Sequence, residues 1–135
     1  MISYTNALRK HKLKATPQRL EIASTIDKYG HITIEKLYEI MVEKFNSISL
    51  ATIYKNINIM MENSFIQEVK IPNNKSVYEL SQDSHSHLFC NNCGEVEDIF
   101  LDLSNFSNAV TNSTDFNIEK VNVIFSGICK KCQTL

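Results

Sequence analysis

The N-terminal half of the chain spaces its apolar side chains three or four positions apart, as helices with one buried face do. Thr16 and Pro17 offer a capped start for one such helix, and Gly30 offers its end. Thr33 and Ser49 can cap the two helices that follow. The pattern predicts four helices, at residues 3–12, 17–29, 34–45 and 50–63.

The pattern changes after the fourth helix to short β-prone runs. Residues 65–71 and 76–81 flank the turn-forming cluster Pro72-Asn73-Asn74-Lys75, which predicts a β-hairpin. A hairpin that follows several helices, the last of them capped after a short loop, is typical of a winged helix-turn-helix.

A second region begins near His85. It predicts strands at 86–90, 95–100 and 117–126 and a helix at 103–113. A region of about 50 residues is too small to hold an independent core, so a metal, a dimer partner or both should stabilise it. The predicted fold is α+β: a winged helix-turn-helix domain at 1–81, a hinge at 82–84 and a small α/β dimerisation domain at 85–135.

Charge divides unevenly between these regions. Residues 1–80 carry 11 basic and 8 acidic side chains, whereas residues 81–135 carry 3 and 7. This asymmetry suits a half that faces phosphates and a half that binds cations, although chance patchiness explains it equally well. The chain has no apolar run long enough for a membrane span and no secretory signal, which predicts a cytoplasmic protein with reduced thiols.

All four cysteines belong to two Cys-x-x-Cys pairs, Cys90 with Cys93 and Cys129 with Cys132. Two such pairs can complete a tetrahedral four-sulfur site, which suits structural Zn²⁺. A closed site of this kind has no open position for catalysis. Disulfides or unpaired core thiols are the alternative, and redox switching through the same thiols stays open.

A second group of potential ligands contains no sulfur. His85 and His87 alternate on one predicted strand, so their rings share a face. Imidazoles combined with carboxylates such as Glu79 and Asp98 suit Fe²⁺, Mn²⁺ or Zn²⁺. The alternative is a set of surface residues, and on spacing alone His31 is a capping or surface histidine.

The fourth helix has a face that could read DNA. Ile53, Ile57 and Met60 form its core side, and Asn56 lies on a flank. Small and basic residues on the other side can approach a groove and its phosphates, although an ordinary solvated face is the alternative. The candidate DNA contacts, which include two basic residues before and within the second helix, are Lys14, Arg19, Ala51, Thr52, Tyr54 and Lys55.

Four segments, in order and with matching spacing, resemble the ferric uptake regulator (Fur) family. They are Thr16-Pro17-Gln18-Arg19, Ser49-Leu50-Ala51-Thr52-Ile53-Tyr54-Lys55, the run from His85 to Gly94, and Cys129-Lys130-Lys131-Cys132. The resemblance implies a homodimer that binds AT-rich palindromic double-stranded DNA when a regulatory metal is bound. It also implies the regulatory Fe²⁺ or Mn²⁺ ligands, which are His31, Glu79, His85, His87 and Asp98.

Departures from the family pattern indicate which branch of the family the chain resembles. Ser84-His85-Ser86-His87 replaces a His-His-Asp-His run, and Val121 replaces a later histidine, so a further metal site of iron-uptake members is lost. This resembles the peroxide-sensing branch, in which iron chemistry oxidises a ligand histidine, here His31 or His85. Against it, Glu79 stands where that branch commonly has Asp, and Lys55 replaces a frequent Arg.

Three other functions stay as alternatives. The first is an iron-uptake regulator that senses the level of Fe²⁺. The second is a zinc-stapled interaction module that never binds DNA. The third, a zinc enzyme, is disfavoured because the chain lacks the His-Glu-x-x-His and deaminase patterns, so no catalytic residue is predicted.

Overall fold

The structure is a computed structural model that describes residues 3–134. Residues 1, 2 and 135, where the two predicted domain ranges end, lie outside the described part. The described chain divides into two units between Ser81 and Gln82. The elements follow the predicted α+β order, with four helices and a hairpin in the first unit and a small α/β arrangement in the second.

The first unit contains the four predicted helices and the hairpin. The helices are α1 (Tyr4–Lys10), α2 (Pro17–Tyr29), α3 (Ile34–Lys44) and α4 (Leu50–Glu62), and the hairpin strands are β1 (Ile66–Val69) and β2 (Val77–Leu80). The predicted caps are confirmed, because the side-chain oxygens of Thr16, Thr33 and Ser49 each accept a hydrogen bond from a first-turn amide.

One core joins these helices to the hairpin. Apolar side chains from all four helices meet in it with no exposed surface: Leu8, Ile22, Ile26, Leu37, Met41, Ile53, Ile57 and Met60. A short backbone bridge adds the corner between α2 and α3 to the sheet, since Ile32 and Tyr78 exchange N–H to carbonyl hydrogen bonds of 3.1 and 2.8 Å. This bridge holds residues 31 and 32 alongside β2.

The second unit is a three-stranded sheet with two helices. Its elements are β3 (Ser86–Cys90), β4 (Val96–Ile99), α5 (Ser104–Thr114), β5 (Ile124–Gly127) and α6 (Lys130–Gln133). The strand order is β4-β3-β5, with β4 antiparallel and β5 parallel to β3. The only buried apolar side chains among its described residues are Phe89 and Cys90, and α5 buries none.

One prediction about this unit was wrong in detail, and one element was missed. The strand predicted at 117–126 is paired with β3 only at Ile124–Gly127, opposite His87–Cys90. Helix α6 was not predicted, because it is a single turn that follows its N-cap Cys129 and has no apolar periodicity of its own. Within the described residues, no helix has the length and apolar character that crossing a membrane requires.

Replacing Ile57 with alanine should lower the free energy of unfolding by about 2–5 kcal/mol, because the side chain is completely buried and its loss leaves a cavity. Urea unfolding followed by circular dichroism measures the change. Asn58→Ala, at the next and exposed position of α4, is the matched control and should stay within about 0.5 kcal/mol of the parent. An unchanged unfolding midpoint for Ile57→Ala would contradict this core assignment.

Candidate metal centres and recognition helix

The four cysteines come from two backbone turns that the β3–β5 pairing brings side by side. Cys90 ends β3, and Cys93 lies in the following turn, where Gly94 adopts a left-handed φ of 76° that favours glycine. Cys90 pairs with Gly127 of β5, so the chain reaches Cys129 and Cys132 two and five residues later. The sheet therefore positions both pairs at one end of the second unit.

The sulfur atoms have the spacing of one tetrahedral metal site. All four Sγ atoms lie within 4.8 Å of one another, and Sγ of Cys93 is 3.8 Å from Sγ of Cys129. An ion with bonds of about 2.3 Å to four tetrahedral sulfurs would set them about 3.8 Å apart. None of the four cysteines forms a disulfide in the structure.

The pKa values of the cysteine thiols also favour a bound cation. The backbone amides of Cys129 and Cys93 donate hydrogen bonds to Sγ of Cys90 and lower the pKa of that thiol to about 6. The Glu95 amide lowers the pKa of Cys93, but the Cys90 thiol and partial desolvation outweigh it and raise the pKa to about 11. The protein alone thus stabilises one thiolate at the expense of its neighbour, whereas a divalent cation would stabilise all four.

His31 and Glu79 form the ligand group of the first unit. The backbone bridge at Ile32 places His31 beside β2, and Nε2 of His31 lies 3.2 Å from Oε2 of Glu79. The Glu79 side chain is only 2% exposed, and Gln67 on β1 donates a hydrogen bond of 2.8 Å to its Oε1. Burying a carboxylate costs free energy unless it is paired. The hydrogen bond from Gln67 and the contact with His31 therefore both stabilise the buried Glu79 side chain.

His85, His87 and Asp98 form the ligand group of the second unit. Asp98 on β4 lies opposite His87 on β3, and its Oδ1 is 3.4 Å from Nε2 of His87 and 3.3 Å from Nε2 of His85. The two imidazole centroids are 4.5 Å apart. Two imidazole nitrogens therefore face one carboxylate oxygen, although only His87 is on β3 and His85 directly precedes that strand.

The tautomer of His85 favours a cation in this second group. Its Nδ1 lies 2.8 Å from the carbonyl oxygen of Asp83, which can only accept, so Nδ1 carries the proton. Its Nε2 lies 3.3 Å from Oδ1 of Asp98, so this nitrogen can act as a ligand atom beside that oxygen. The Gln82 amide lies 3.4 Å from that nitrogen and donates to Oδ2 of Asp98 at 3.1 Å. A metal ion would satisfy both acceptors together.

The five predicted regulatory ligands thus occur as two groups, one in each unit. Sequence reasoning missed the amides that orient their carboxylates, Gln67 and Gln82, because a lone glutamine carries no recognisable pattern. It also assigned no role to His11. The His11 Nδ1 lies 3.0 Å from the carbonyl oxygen of Asn63, and its ring packs edge-on against Phe65, so it links α1 to the end of α4.

The predicted DNA-facing residues lie on the first unit. Ala51, Tyr54 and Lys55 are exposed on α4, and Lys14 is exposed before α2. Thr52 is half-buried, and its hydroxyl is 3.0 Å from that of Ser49.

A hydrogen bond connects Arg19 of α2 to α4. Its Nε donates to Oδ1 of Asn56 at 3.0 Å, and its Nη1 donates to the Lys14 carbonyl at 3.1 Å. Asn56 in turn donates to the Thr52 carbonyl at 3.0 Å. The flank position predicted for Asn56 is buried, since the residue is 9% exposed and links α4 to α2 through Arg19.

Comparisons with known proteins agree with this architecture. A profile of the ferric uptake regulator family matches residues 10–126. The peroxide-responsive repressor of Staphylococcus saprophyticus is 30% identical over 94% of this chain and 87% of its own length. The peroxide stress regulator of Campylobacter jejuni superimposes with a TM-score of 0.74 at 32% identity, over 97% of this chain and all of that one. The ferric uptake regulator of Vibrio cholerae gives 0.76 at 28% identity, over 94% and 100%.

Replacing Cys90 and Cys93 together with serine should abolish metal binding at the sulfur cluster, because two sulfurs cannot complete a tetrahedral site. We expect the metal-to-protein ratio measured by atomic emission to fall by one equivalent per chain and the melting temperature to drop. Asn91→Ser, an exposed change within the same turn, is the control and should leave both values unchanged. Full metal content in the double variant would contradict the assignment.

Replacing Asn56 with alanine should lower the free energy of unfolding by about 1–3 kcal/mol, because it leaves Nε of Arg19 without its acceptor. Asn56→Asp keeps that acceptor and should cost less. Chemical denaturation of both variants measures the difference. An equal loss in the two variants would show that the contact with Arg19 does not hold the helices together.

Proposed function

The chain belongs to the ferric uptake regulator family and is a metal-dependent regulator of that family, and we propose that it is a peroxide-responsive, DNA-binding transcription repressor. The observation that carries the proposal is the pair of sulfur-free ligand groups, in which imidazole nitrogens face carboxylate oxygens. Such ligands suit Fe²⁺ and Mn²⁺, and iron is the ion that reacts with peroxide.

We propose that one regulatory ion takes ligands from both groups. The first unit offers two, His31 and Glu79, and the second offers His85, His87 and Asp98. Neither group alone fills the five or six positions, roughly, that Fe²⁺ and Mn²⁺ prefer. An ion shared in this way would favour one arrangement of the two units over others, which is how a metal could control DNA binding.

Peroxide would act through the ligands themselves. When held by these ligands, Fe²⁺ would supply the redox chemistry that breaks the peroxide O–O bond. In the net reaction one oxygen replaces the hydrogen of an imidazole C–H, that hydrogen remains on the oxidised ring as an N–H or O–H, and the other peroxide oxygen leaves as water. His31 and His85 are the proposed targets. Oxidation would weaken their hold on the ion, release the closed arrangement and so release DNA.

The sulfur cluster would hold structural Zn²⁺ through Cys90, Cys93, Cys129 and Cys132. The four-sulfur ligand set and its tetrahedral spacing support this ion. A closed site would stabilise the second unit, whose buried apolar residues are few, without taking part in sensing.

The second unit would form the homodimer. It exposes large apolar side chains on its sheet, its helix α5 and the loops around them, and these support an interface with a second copy. They include Phe100, Phe106, Val110, Phe116 and Phe125. A dimer would present two recognition helices to an AT-rich palindromic operator.

The DNA contacts would come from α4 and from the segment before α2. Exposed Tyr54 and Lys55 support phosphate contacts, and exposed Ala51 supports close approach to a base edge. Lys14 is exposed, and its backbone carbonyl accepts a hydrogen bond from Nη1 of Arg19. The proposed set is Lys14, Arg19, Ala51, Thr52, Tyr54 and Lys55.

We expect the Fe²⁺-loaded protein to lose operator binding after brief treatment with low peroxide and the Mn²⁺-loaded protein to keep it. A duplex selected from a random pool by the Mn²⁺ form serves as the operator, and fluorescence anisotropy measures binding. Peptide mass spectrometry should find one added oxygen, about 16 Da, on His31 or His85 in the iron form only. His11 lies outside the ligand groups and should stay unmodified, as an internal control.

Other outcomes distinguish the alternatives. Binding that follows the Fe²⁺ concentration but ignores peroxide would favour an iron-level sensor. Absence of any salt-dependent duplex binding would favour the zinc-stapled interaction module. His85→Ala should keep the fold and the zinc yet lose metal-activated binding, and its unfolding would contradict the division between structural and regulatory ligands.

A further inference from the structure

The two oxygens of the Glu79 carboxylate have different partners within the first unit. Gln67 lies directly opposite Glu79 in the β1–β2 register, and its Nε2 donates to Oε1 at 2.8 Å. Oε2 lies 3.2 Å from Nε2 of His31. One oxygen is therefore anchored to the hairpin, and the other faces the imidazole.

The donor that anchors Oε1 is an amide, which keeps its N–H groups at any pH in which the protein folds. The pair sits across two hydrogen-bonded strands, so the backbone register fixes the distance between the two side chains. The carboxylate is 2% exposed, so solvent has little room to replace the amide. Gln67 therefore helps to fix the orientation of the carboxylate plane.

A carboxylate held in this way can offer one oxygen to a cation without breaking the bond to Gln67. Gripping the ion with both oxygens would make Oε1 share its electron density between the ion and the Gln67 amide, which weakens it as a second metal ligand. Larger and more flexible cations gain most from a two-oxygen grip, whereas smaller ions accept a single oxygen in a compact ligand set. The hydrogen bond therefore influences which ion the site prefers, in addition to stabilising the buried carboxylate.

We propose that Gln67 is a positioning residue of the regulatory site, which keeps Glu79 a one-oxygen ligand and so favours smaller divalent ions over Mn²⁺. This inference rests on the proposed function, because it takes Glu79 as a metal ligand. Gln67 would not touch the ion. Its role would be to discriminate between ions through Glu79, as partners of metal ligands commonly do.

The test is direct titration with Co²⁺, a smaller ion that replaces Fe²⁺ in air, and with Mn²⁺. It uses full-length protein whose cysteine cluster keeps its own metal. Gln67→Met removes the donor at similar side-chain volume. We expect Co²⁺ affinity to fall about 10-fold or more and Mn²⁺ affinity to fall by a clearly smaller factor. The visible absorption of Co²⁺ should change as well, and sulfur-to-Co²⁺ charge-transfer bands would reveal any exchange into the cysteine cluster.

Two further variants make the outcome decisive. Glu68→Gln, the neighbouring position whose side chain lies on the other face of β1, is the matched control and should leave both affinities unchanged. Equal losses for both ions in Gln67→Met, or no loss, would overturn the inference, because a merely structural role would not alter the ratio. Glu79→Gln distinguishes a failure of this inference from a failure of the proposed regulatory site. If it loses Co²⁺ while Gln67→Met keeps the parental ratio, only this inference fails. If it keeps Co²⁺ affinity, the proposed regulatory site fails and this inference fails with it.

Discussion

The gathering of four cysteine sulfurs at one point is the constraint on which the second unit depends. The atoms lie within 4.8 Å of one another, so four thiolates there would repel one another, and the hydrogen bonds that lower the pKa of Cys90 to about 6 leave the pKa of Cys93 raised to about 11. The same unit buries few apolar side chains, so it has little else to offset the entropy of folding. A divalent cation removes the repulsion and joins the two turns at the end of the sheet, which would make metal binding and folding of this unit one process.

Local chemistry explains why much of the fold could be predicted from the sequence. Thr16, Thr33 and Ser49 cap helices because their hydroxyls satisfy first-turn amides, and that signal lies within four residues of chain. The limits of β5 could not be found in this way, because they depend on its pairing with β3, more than thirty residues earlier. The sequence placed Asn56 on a flank of its helix, whereas its contact with Arg19, on another helix, could not be found from local pattern.

The candidate sites likewise divide into those that a local sequence pattern predicts and those that depend on contacts between distant segments. Spacing identified the cysteine pairs, because two residues between thiols is itself the geometry of a metal turn. His31 and Glu79 needed the family resemblance, since one lies in a helix corner and the other in a strand, and only the Ile32–Tyr78 bridge brings them together. The hydrogen bonds that orient the ligands, from Gln67 to Glu79 and from His85 to the Asp83 carbonyl, depend on register and rotamer, which no pattern encodes.

The Ile32–Tyr78 bridge carries a thermodynamic consequence for a regulator of this kind. It pairs the segment next to His31 with the hairpin of β1 and β2, so a tilt of this hairpin toward a nucleic-acid groove would carry His31 and Glu79 with it. Any free energy that links wing position to ion occupancy must act in both directions. An operator that favours one tilt would therefore raise the affinity for the ion, and promoter-bound repressors would retain their metal at concentrations at which unbound repressors lose it.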